Sequence, residues 1–435
     1  MTSWKTIPAD RYDVAVVGGG AAGMTAAIAA ARTGARVALL ERNDRPGKKI
    51  LMTGNGKCNL GNRDLQPSYY YSDNMAVAAS VLKRFGTEET IAFFASLGLM
   101  VRERRGYLYP ISEQAAVVLD VLRYGLEREG VTVLPQAFVQ ELSKAGEGAD
   151  SQRYILKLQN GDIVEAGRVI LACGGRAAPK TGSDGSGYEL ARSLGHQIIS
   201  PVPSLVQLHC SEKYCRALAG VRAEGTVRVS DERAGNSSRG YLCAETGEIQ
   251  LTEYGISGIP VFQLSGQVNQ LLAQGRKLRA ELDFFPQYEE ADYRQLCSHR
   301  LENLGNQTVE SFFTGMLHKK IMNVCIRQAG LSPEQAAGRA DRQKLRQVFA
   351  LCRKLPFTIN GSHPFDSAQV CRGGVSMREV DTLLQSALSS GLYLAGELLN
   401  VDGRCGGYNL QWAWASGYIA GEGAGLACGR KKDKA

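Results

Sequence analysis

Val14-Ala-Val-Val-Gly18-Gly-Gly20-Ala-Ala-Gly23 decides the fold of this chain. An apolar run, 14–17, leads into glycines spaced Gly18-x-Gly20-x-x-Gly23, and an alanine-rich stretch, 21–33, follows with helical composition. Strand, tight turn and helix in that order open a dinucleotide-binding unit. Gly18 permits the turn, Gly20 lets backbone approach a pyrophosphate, and Gly23 lets helix pack close on strand. The helix N-terminus offers free N–H groups to the anion. A second strand, 36–40, ends at Glu41, eighteen positions after Gly23. There a carboxylate accepts hydrogen bonds from the hydroxyls of an adenosine ribose and disfavours a 2′-phosphate, so the site suits FAD or NAD rather than NADP.

The second half of the chain separates FAD from NAD. A short apolar strand, 391–395, runs into Gly396-Glu397, and after a loop Gly406-Gly407-Tyr-Asn409-Leu410 reads as a helix start. A helix N-terminus there sets backbone N–H groups against the pyrimidine end of a flavin, an element a nicotinamide enzyme does not need. The plainer alternative for Gly406, Gly407 and Gly417 is helix packing. Trp412 and Trp414, two positions apart, point to different helix faces and read as core.

Further segments carry a family resemblance: Pro46-Gly-Lys-Lys-Ile-Leu-Met-Thr-Gly-Asn-Gly-Lys-Cys-Asn59, the run 181–196 ending at His196, Tyr254-Gly-Ile-Ser-Gly258 and Gly373-Gly-Val375. With both glycine signatures they span nearly the whole chain, which resembles the BaiN-like, aminoacetone oxidase-like family of NAD(P)/FAD-dependent oxidoreductases. The resemblance implies an α/β fold, a glutathione-reductase-type FAD-binding Rossmann domain with an inserted small β-barrel and a helical subdomain. The FAD site it implies, together with the glycine signatures, comprises Gly18, Gly20, Ala22, Gly23, Glu41, Arg42, Lys49, Gly54, Gly56, Cys58, Asn59, Val139, Ala172, Gly174, Gly396, Glu397, Gly406, Gly407, Asn409 and Leu410. Two positions depart from the family pattern: Lys57 where arginine is usual, and Thr252-Glu-Tyr254 where Thr-His-Phe is common.

Composition agrees with a water-soluble enzyme. The 435 residues are 44% hydrophobic and include 50 glycines, enough to bury two or three cores. Lys5, Asp10 and Arg11 precede the first strand and no long apolar segment occurs, so neither a signal peptide nor a membrane span is expected, and the cytoplasm is the expected location. The 51 basic and 43 acidic residues leave +8; apart from the tail 429–435 the basic residues read as scattered among acidic ones, a solvated surface with a modest pull on anionic substrates. Eleven cysteines without a Cys-x-x-Cys argue against zinc ribbons and thioredoxin-type sites, and no metal is expected.

Period and turn signals divide the chain into an FAD-binding domain, 1–199 and 356–435, a barrel-like insert, 200–264, and a helical insert, 265–355. Within the first, 113–128 reads as an amphipathic helix and 131–134 as a strand. The runs 137–142, 154–159 and 163–164 read as a meander about the polar loop 143–152, and 168–172 as the return to the sheet, closed by Cys173-Gly174-Gly175. Ser332-Pro-Glu-Gln335 has the form of a helix capping box.

Cys58 has no second cysteine five positions away, so a dithiol relay is not expected; Cys210 and Cys215, spaced suitably but without glycine context, read as ordinary thiols. No second nucleotide unit is present, because Gly182-Ser-Asp-Gly-Ser-Gly187 follows a loop. NADH or NADPH is therefore expected as a transient visitor to the flavin, followed by a small-molecule substrate under the inserted regions. The resemblance to the bile-acid member implies hydride transfer from flavin to the conjugated C=C of a 3-oxo steroid acid. No catalytic acid is assigned; Tyr109, Tyr254, His363 and Arg372 are polar candidates in marked loops. An oxidase of small amines is the first rival, and a flavin-dependent RNA-modifying or redox-sensing protein the second. The second requires a basic face with exposed aromatics, and the short tail is the only dense basic cluster recognised, so no nucleic-acid partner is expected.

Overall fold

The computed structural model describes residues 11–145, 153–231 and 240–429. Lys5, Asp10, the 146–152 part of the polar loop and the basic tail beyond Gly429 lie outside them. The chain forms two units, Met1–Val202 with Phe365–Ala435, and Pro203–Pro364.

In the first unit Tyr12–Val17 is the centre of a parallel sheet, flanked by Val37–Leu40 and Ile163–Leu171. Thr132–Leu134 extends one side and Leu392–Leu394 the other. All side chains of these short strands are buried or nearly so, as a parallel sheet covered on both faces requires. The meander and the return to the sheet are one element. Ile163–Leu171 pairs antiparallel with Tyr154–Leu158 over its first half, then exchanges that neighbour for Leu392–Leu394 over its second half. A single nine-residue strand, with Gly167 where the neighbours change, replaces the two pieces expected from sequence.

The first helix, Ala21–Arg32, is buried on nearly every side, which explains its alanines: larger side chains have nowhere to go. Its partner is the terminal helix, Tyr408–Leu426. A Cβ added at Gly417 would lie 2.3 Å from Ala22 O, at Gly421 2.2 Å from Ala26 O, and at Gly425 2.9 Å from Ala30 O. Three glycines at i, i+4, i+8 thus meet three backbone carbonyls spaced alike, and the axes approach as closely as backbone allows. Trp412 and Trp414 are both buried, on different faces, as expected for core residues.

The second unit is a closed six-stranded antiparallel barrel with helices on it. In barrel order the strands are Leu208–Cys210, Gly255–Gly258, Cys243–Thr252, Arg222–Asp231, Leu278–Asp283 and Leu355–Ser362, which returns to the first. The barrel therefore draws two strands from beyond 200–264. Leu278, Ala280 and Leu282 alternate with more exposed Arg279 and Glu281, a strand period embedded in the stretch read as helical. Barrel residues Val227, Ile249 and Phe357 share one core with helical residues Phe313, Ile321 and Phe349, so the two inserts fold as one body. Buried Asp283 ties them together, accepting from Arg228 at 3.0 Å and Arg353 at 3.1 Å.

The capping box at 332–335 forms only in part. Ser332 N–H donates to Gln335 Oε1 at 3.1 Å, but no α-helix starts there; only the single 3-10 turn Ala337–Arg339 follows. The carbonyls of Pro333 and Gln335 instead accept from Glu310 and Val309 at the start of Val309–Phe313, and Ala336 bridges to Thr308. Among the described residues no helix is long and apolar enough to cross a membrane.

Replacing Gly421 by alanine tests the helix pairing. Helix propensity alone favours alanine by about 1 kcal/mol; the 2.2 Å approach to Ala26 O reverses the sign and costs roughly 1–3 kcal/mol. Urea unfolding that finds Gly421→Ala as stable as the parent would contradict this packing.

Candidate functional site

The glycine turn is closed at both ends and open in the middle. Gly18 adopts φ +103°, and a Cβ there would lie 2.5 Å from Ala172 O; one at Gly23 would lie 1.8 Å from Gly18 O. At Gly20 a Cβ would meet no heavy atom within 4 Å. The helix begins immediately beyond, its first bond running from Met24 N–H to Gly20 O at 3.0 Å, so the N–H groups of 21–23 precede the intrahelical ladder. Room for an anion and donors for it coincide at one place. A pyrophosphate fits this position.

Glu41 is buried behind the turn. Its Oε2 accepts from Gly19 N–H at 2.8 Å and its Oε1 from the Asn43 N–H and side-chain amide at 2.8 and 2.7 Å. The carboxylate thereby sets the glycine turn from below, while Oε2 keeps acceptor capacity for a ribose hydroxyl.

The terminal segment meets the turn from the other side. Gly396 N–H donates to Ser416 Oγ at 2.9 Å, and Trp412 Nε1 donates to Gly396 O at 3.1 Å, so the terminal helix clamps this peptide. A Cβ at Gly396 would lie 2.8 Å from Ala22 Cβ. Trp414 Nε1 donates to Leu60 O at 3.0 Å. Both indoles are core residues whose polar edges fix loops of the site, a function that the core reading alone did not reveal.

A second group lies on the exposed loop 51–57 and the residues after it. Leu51 and Met52 are exposed there, 40% and 63%. Asn59, its amide turned to satisfy its neighbours, faces Gly61 O and Leu108 O with nitrogen (2.8 and 3.1 Å) and Gly407 N–H with oxygen (3.3 Å). Gly407 has φ +96°, and a Cβ there would meet Gly61 O at 2.7 Å, so glycine is required where the two ends of the chain lock. Lys49 Nζ, 2.5 Å from Glu397 Oε2 and 3.1 Å from Ala177 O, joins this group to the first.

Of the expected cofactor residues, Gly18, Gly20, Ala22, Gly23, Glu41, Ala172 and Gly396 gather about the turn, and Lys49, Asn59, Glu397 and Gly407 connect to them. Gly174 follows the end of the strand Ile163–Leu171, against Ser183. Others have partners of their own. Arg42 pairs with Asp184 at 2.5 Å and covers the Phe138 ring at 4.6 Å. Asn409 holds both N–H and carbonyl of Gly403, at 2.9 and 2.8 Å. Val139 is buried in its strand; Leu410 is half-buried. Cys58 is fully buried, and burial pushes its thiol up to about 12, so it stays protonated at neutral pH. None of the eleven cysteines is in a disulfide.

The catalytic candidates divide sharply. Tyr109 lies in a strand, Tyr107–Pro110, rather than a loop. Arg372 also lies in a strand, bound to buried Asp402 at 2.9 Å and stacked on Tyr71 at 4.1 Å, which removes it as a free donor. Tyr254 and His363 do come together, in the second unit, with a residue the sequence did not single out. His209 Nε2 lies 2.8 Å from His363 Nδ1, and the Tyr254 ring is 4.5 Å from that of His363. Burial and the neighbouring His363 lower the pKa of His209. His209 sits in a three-residue strand and has no motif about it; only the barrel closure reveals it. Ser386, His196 and Glu379 have the spacing of a nucleophile relay, 2.8 and 2.9 Å, but Ser386 Oγ is buried and already accepts from Leu388 and Ser389 N–H. Their role is to bind the helix Ser186–Ser193 to the following loops.

The family model described as HI0933-like protein Rossmann domain matches residues 12–423. The chain belongs to this family. It is similar to the 3-dehydro-bile acid delta(4,6)-reductase of Clostridium scindens, 43% identical over 94% of this chain and 98% of that protein. It is also similar to the ribosomal RNA dihydrouridine synthase of Haemophilus influenzae, 27% identical over 93% of this chain and 96% of that protein. Among solved structures, 3-ketosteroid-delta4-(5alpha)-dehydrogenase from Rhodococcus jostii shares 16% identity over 98% of each chain, with a TM-score of 0.46. The resemblance drawn from the sequence segments thus holds at the level of the family.

The open position at Gly20 yields a separable prediction. Gly20→Val should fold, matching the flavin-free parent in thermal stability, yet lose bound FAD, because the side chain fills the pyrophosphate's place without touching protein. Visible absorbance after gel filtration and acid release of the flavin measure it; a stoichiometrically yellow variant would sink the assignment.

Proposed function

We propose that this protein is an FAD-dependent oxidoreductase that uses NADH or NADPH to reduce a carbon–carbon double bond conjugated to a carbonyl, most closely that of a 3-oxo bile acid. The observation that carries this reading is the near full-length similarity to two proteins whose names describe unrelated substrates with one reacting group. A bile acid 3-oxo-4,6-diene and a uracil ring both present an electron-poor C=C beside a carbonyl. That shared acceptor favours reduction over amine oxidation.

Bound FAD supplies hydride transfer at its N5. The protein's own residues position and shield it. The open turn at Gly20 and the N–H groups of 21–23 would hold the pyrophosphate, and Glu41 would hold the ribose. The start of the terminal helix at Gly407 would turn its N–H groups and dipole toward the pyrimidine end of a bound flavin and stabilise negative charge there. The Lys49–Glu397 pair neutralises two charges beside the cofactor, and noncovalent attachment follows from the absence of a known covalent-linkage signature. Cys58, protonated and alone, shapes the wall of the site without relaying electrons. A reducing compartment, the cytoplasm, suits a chain whose eleven cysteines form no disulfide.

Anaerobic mixing with each nicotinamide should bleach the flavin, and a 3-oxo-4,6-diene acid should restore its colour faster than oxygen does. Rapid turnover with oxygen and small amines instead would overturn the reductase reading. Cys58→Ser should retain flavin reduction and enone turnover within about tenfold, roughly 1.4 kcal/mol of barrier. A loss of several orders of magnitude in enone turnover, with flavin reduction intact, would place the thiol in the chemistry.

A further inference from the structure

The basic residues of the first unit are not evenly scattered. The strands Val101–Arg104 and Tyr107–Pro110 pair as a hairpin with Arg102 opposite Tyr109 and Arg104 opposite Tyr107, so these four side chains share one face. Arg102, Arg104 and Tyr107 are exposed and Tyr109 is half-buried. Lys57, at the end of the exposed loop 51–57, reaches the same place. Its Nζ lies 2.7 Å from Glu113 Oε2, while Arg102 and Arg104 converge on Glu113 Oε1, Arg104 at 3.9 Å. Arg105, in the turn of the hairpin, is exposed and has no ion pair among the described residues. Four cations thus stand about one carboxylate. Glu103, opposite Leu108, belongs to the other face, where it and Glu88 share Arg63. With those three included the hairpin and its surroundings still carry five cations against three acids.

The turn is unusual in its own right. Arg105 and Gly106 are its two central residues, at φ +54° and +85°, a geometry that favours asparagine or glycine in the first position. An arginine is held there against local preference. The face also adjoins the terminal segment: Asn62 Nδ2 donates to Gly406 O at 3.3 Å, and a Cβ on Gly406 would lie 3.0 Å from Tyr107 Cε1. Gly406 opens the stretch that the sequence assigns to the pyrimidine end of the flavin.

We infer that this hairpin face is the seat of the 2′-phosphorylated adenosine of NADPH, which makes NADPH rather than NADH the hydride donor. The inference rests on the reductase reading and deepens it. The sequence has no second nucleotide-binding unit, and Glu41 disfavours a 2′-phosphate at the glycine turn. A visiting phosphorylated dinucleotide therefore needs a seat made of cationic side chains. Guanidinium groups grip a phosphate monoester through paired N–H donors, and its dianion matches a surplus of cations that Glu113 leaves unbalanced. Tyr107 and Tyr109 offer ring surface to the purine. NADH has only a hydroxyl at that ribose position and leaves the surplus unmatched.

Isothermal titration of the full-length holoprotein with adenosine 2′,5′-bisphosphate, adenosine 3′,5′-bisphosphate and 5′-AMP tests the seat without turnover. The 2′,5′-bisphosphate is expected to bind at least about tenfold more tightly than 5′-AMP, as charge-assisted phosphate contacts imply, and more tightly than its 3′ isomer. Arg104→Gln/Arg105→Asn should abolish that preference. Asparagine suits the turn at position 105, so the variant should match the parent in flavin content and thermal unfolding. Arg102→Gln, outside the turn, should weaken the preference independently. In anaerobic bleaching NADPH should half-saturate the parent at a concentration about tenfold or more below that of NADH, and the ratio should fall to about two in the double variant. Equal binding of the 2′,5′-bisphosphate and 5′-AMP, a more tightly bound 3′ isomer, or a preference unchanged in the variants would each overturn the inference. Failure of both nicotinamides to bleach the flavin, with the 2′,5′ preference present in the parent and lost in the variant, would instead sink the reductase reading while supporting the phosphoadenosine seat.

Discussion

The first unit depends on one contact between backbones, the row Gly417, Gly421 and Gly425 laid against Ala22, Ala26 and Ala30. It joins the first helix of the chain to the last, and no side chain larger than hydrogen fits on the glycine side. The N-terminus of the first helix holds the open turn, and the N-terminal end of the last carries Gly407 against Asn59. A shift along the shared row would therefore displace both ends of the cofactor cradle together. Dispersion between closely packed backbones and the burial of an almost wholly alanine surface hold the pair together.

Around that contact, polar groups on the core side chains position the loops. The two tryptophan N–H groups and Ser416 fix the peptides of Gly396 and Leu60, each from a residue that is otherwise hydrophobic core or helix interior. Buried hydrogen bonds of this kind are costly to leave unmade. Packing and site geometry are in this way the same constraint. Glu41 repeats the pattern from the sheet side, where a buried anion stabilised by backbone N–H groups holds the turn while retaining an acceptor for ligand.

The second unit contributes different chemistry. Its barrel closes Leu208–Cys210 between Gly255–Gly258 and Leu355–Ser362, and this closure alone sets His209 beside His363 and Tyr254 from three distant stretches. The hydrogen-bonded imidazole pair and the cationic face on the outer helix, Arg342–Arg353, are separate properties of one body, resting on the buried Asp283 ion pairs and the mixed barrel–helix core.

The glycine signatures, the terminal acid of the second strand and the family resemblance were legible in the sequence because each reflects a local requirement. A turn that must pass a carbonyl needs glycine, and an anion needs a helix start. Positions decided by contacts far along the chain were not legible. The strand Leu278–Asp283 alternates as a strand does but is flanked by helices, so only closure of the barrel identifies it. Arg372 is a loop candidate by sequence and an ion-paired strand residue in the fold, because Asp402 stands thirty positions away. Ser332-Pro-Glu-Gln335 carries a helix-start signal, yet its carbonyls are taken by the helix Val309–Phe313 that packs beside it. The cationic face follows the same logic: the charges are visible in the sequence, but their concentration on one surface depends on which side of Arg342–Arg353 the core buries. The sequence by itself thus determined the nucleotide-binding frame and its family, through short-range backbone demands. The tertiary structure decided which polar groups have partners, which stand together and which face solvent, because those depend on distances between segments that no local pattern encodes.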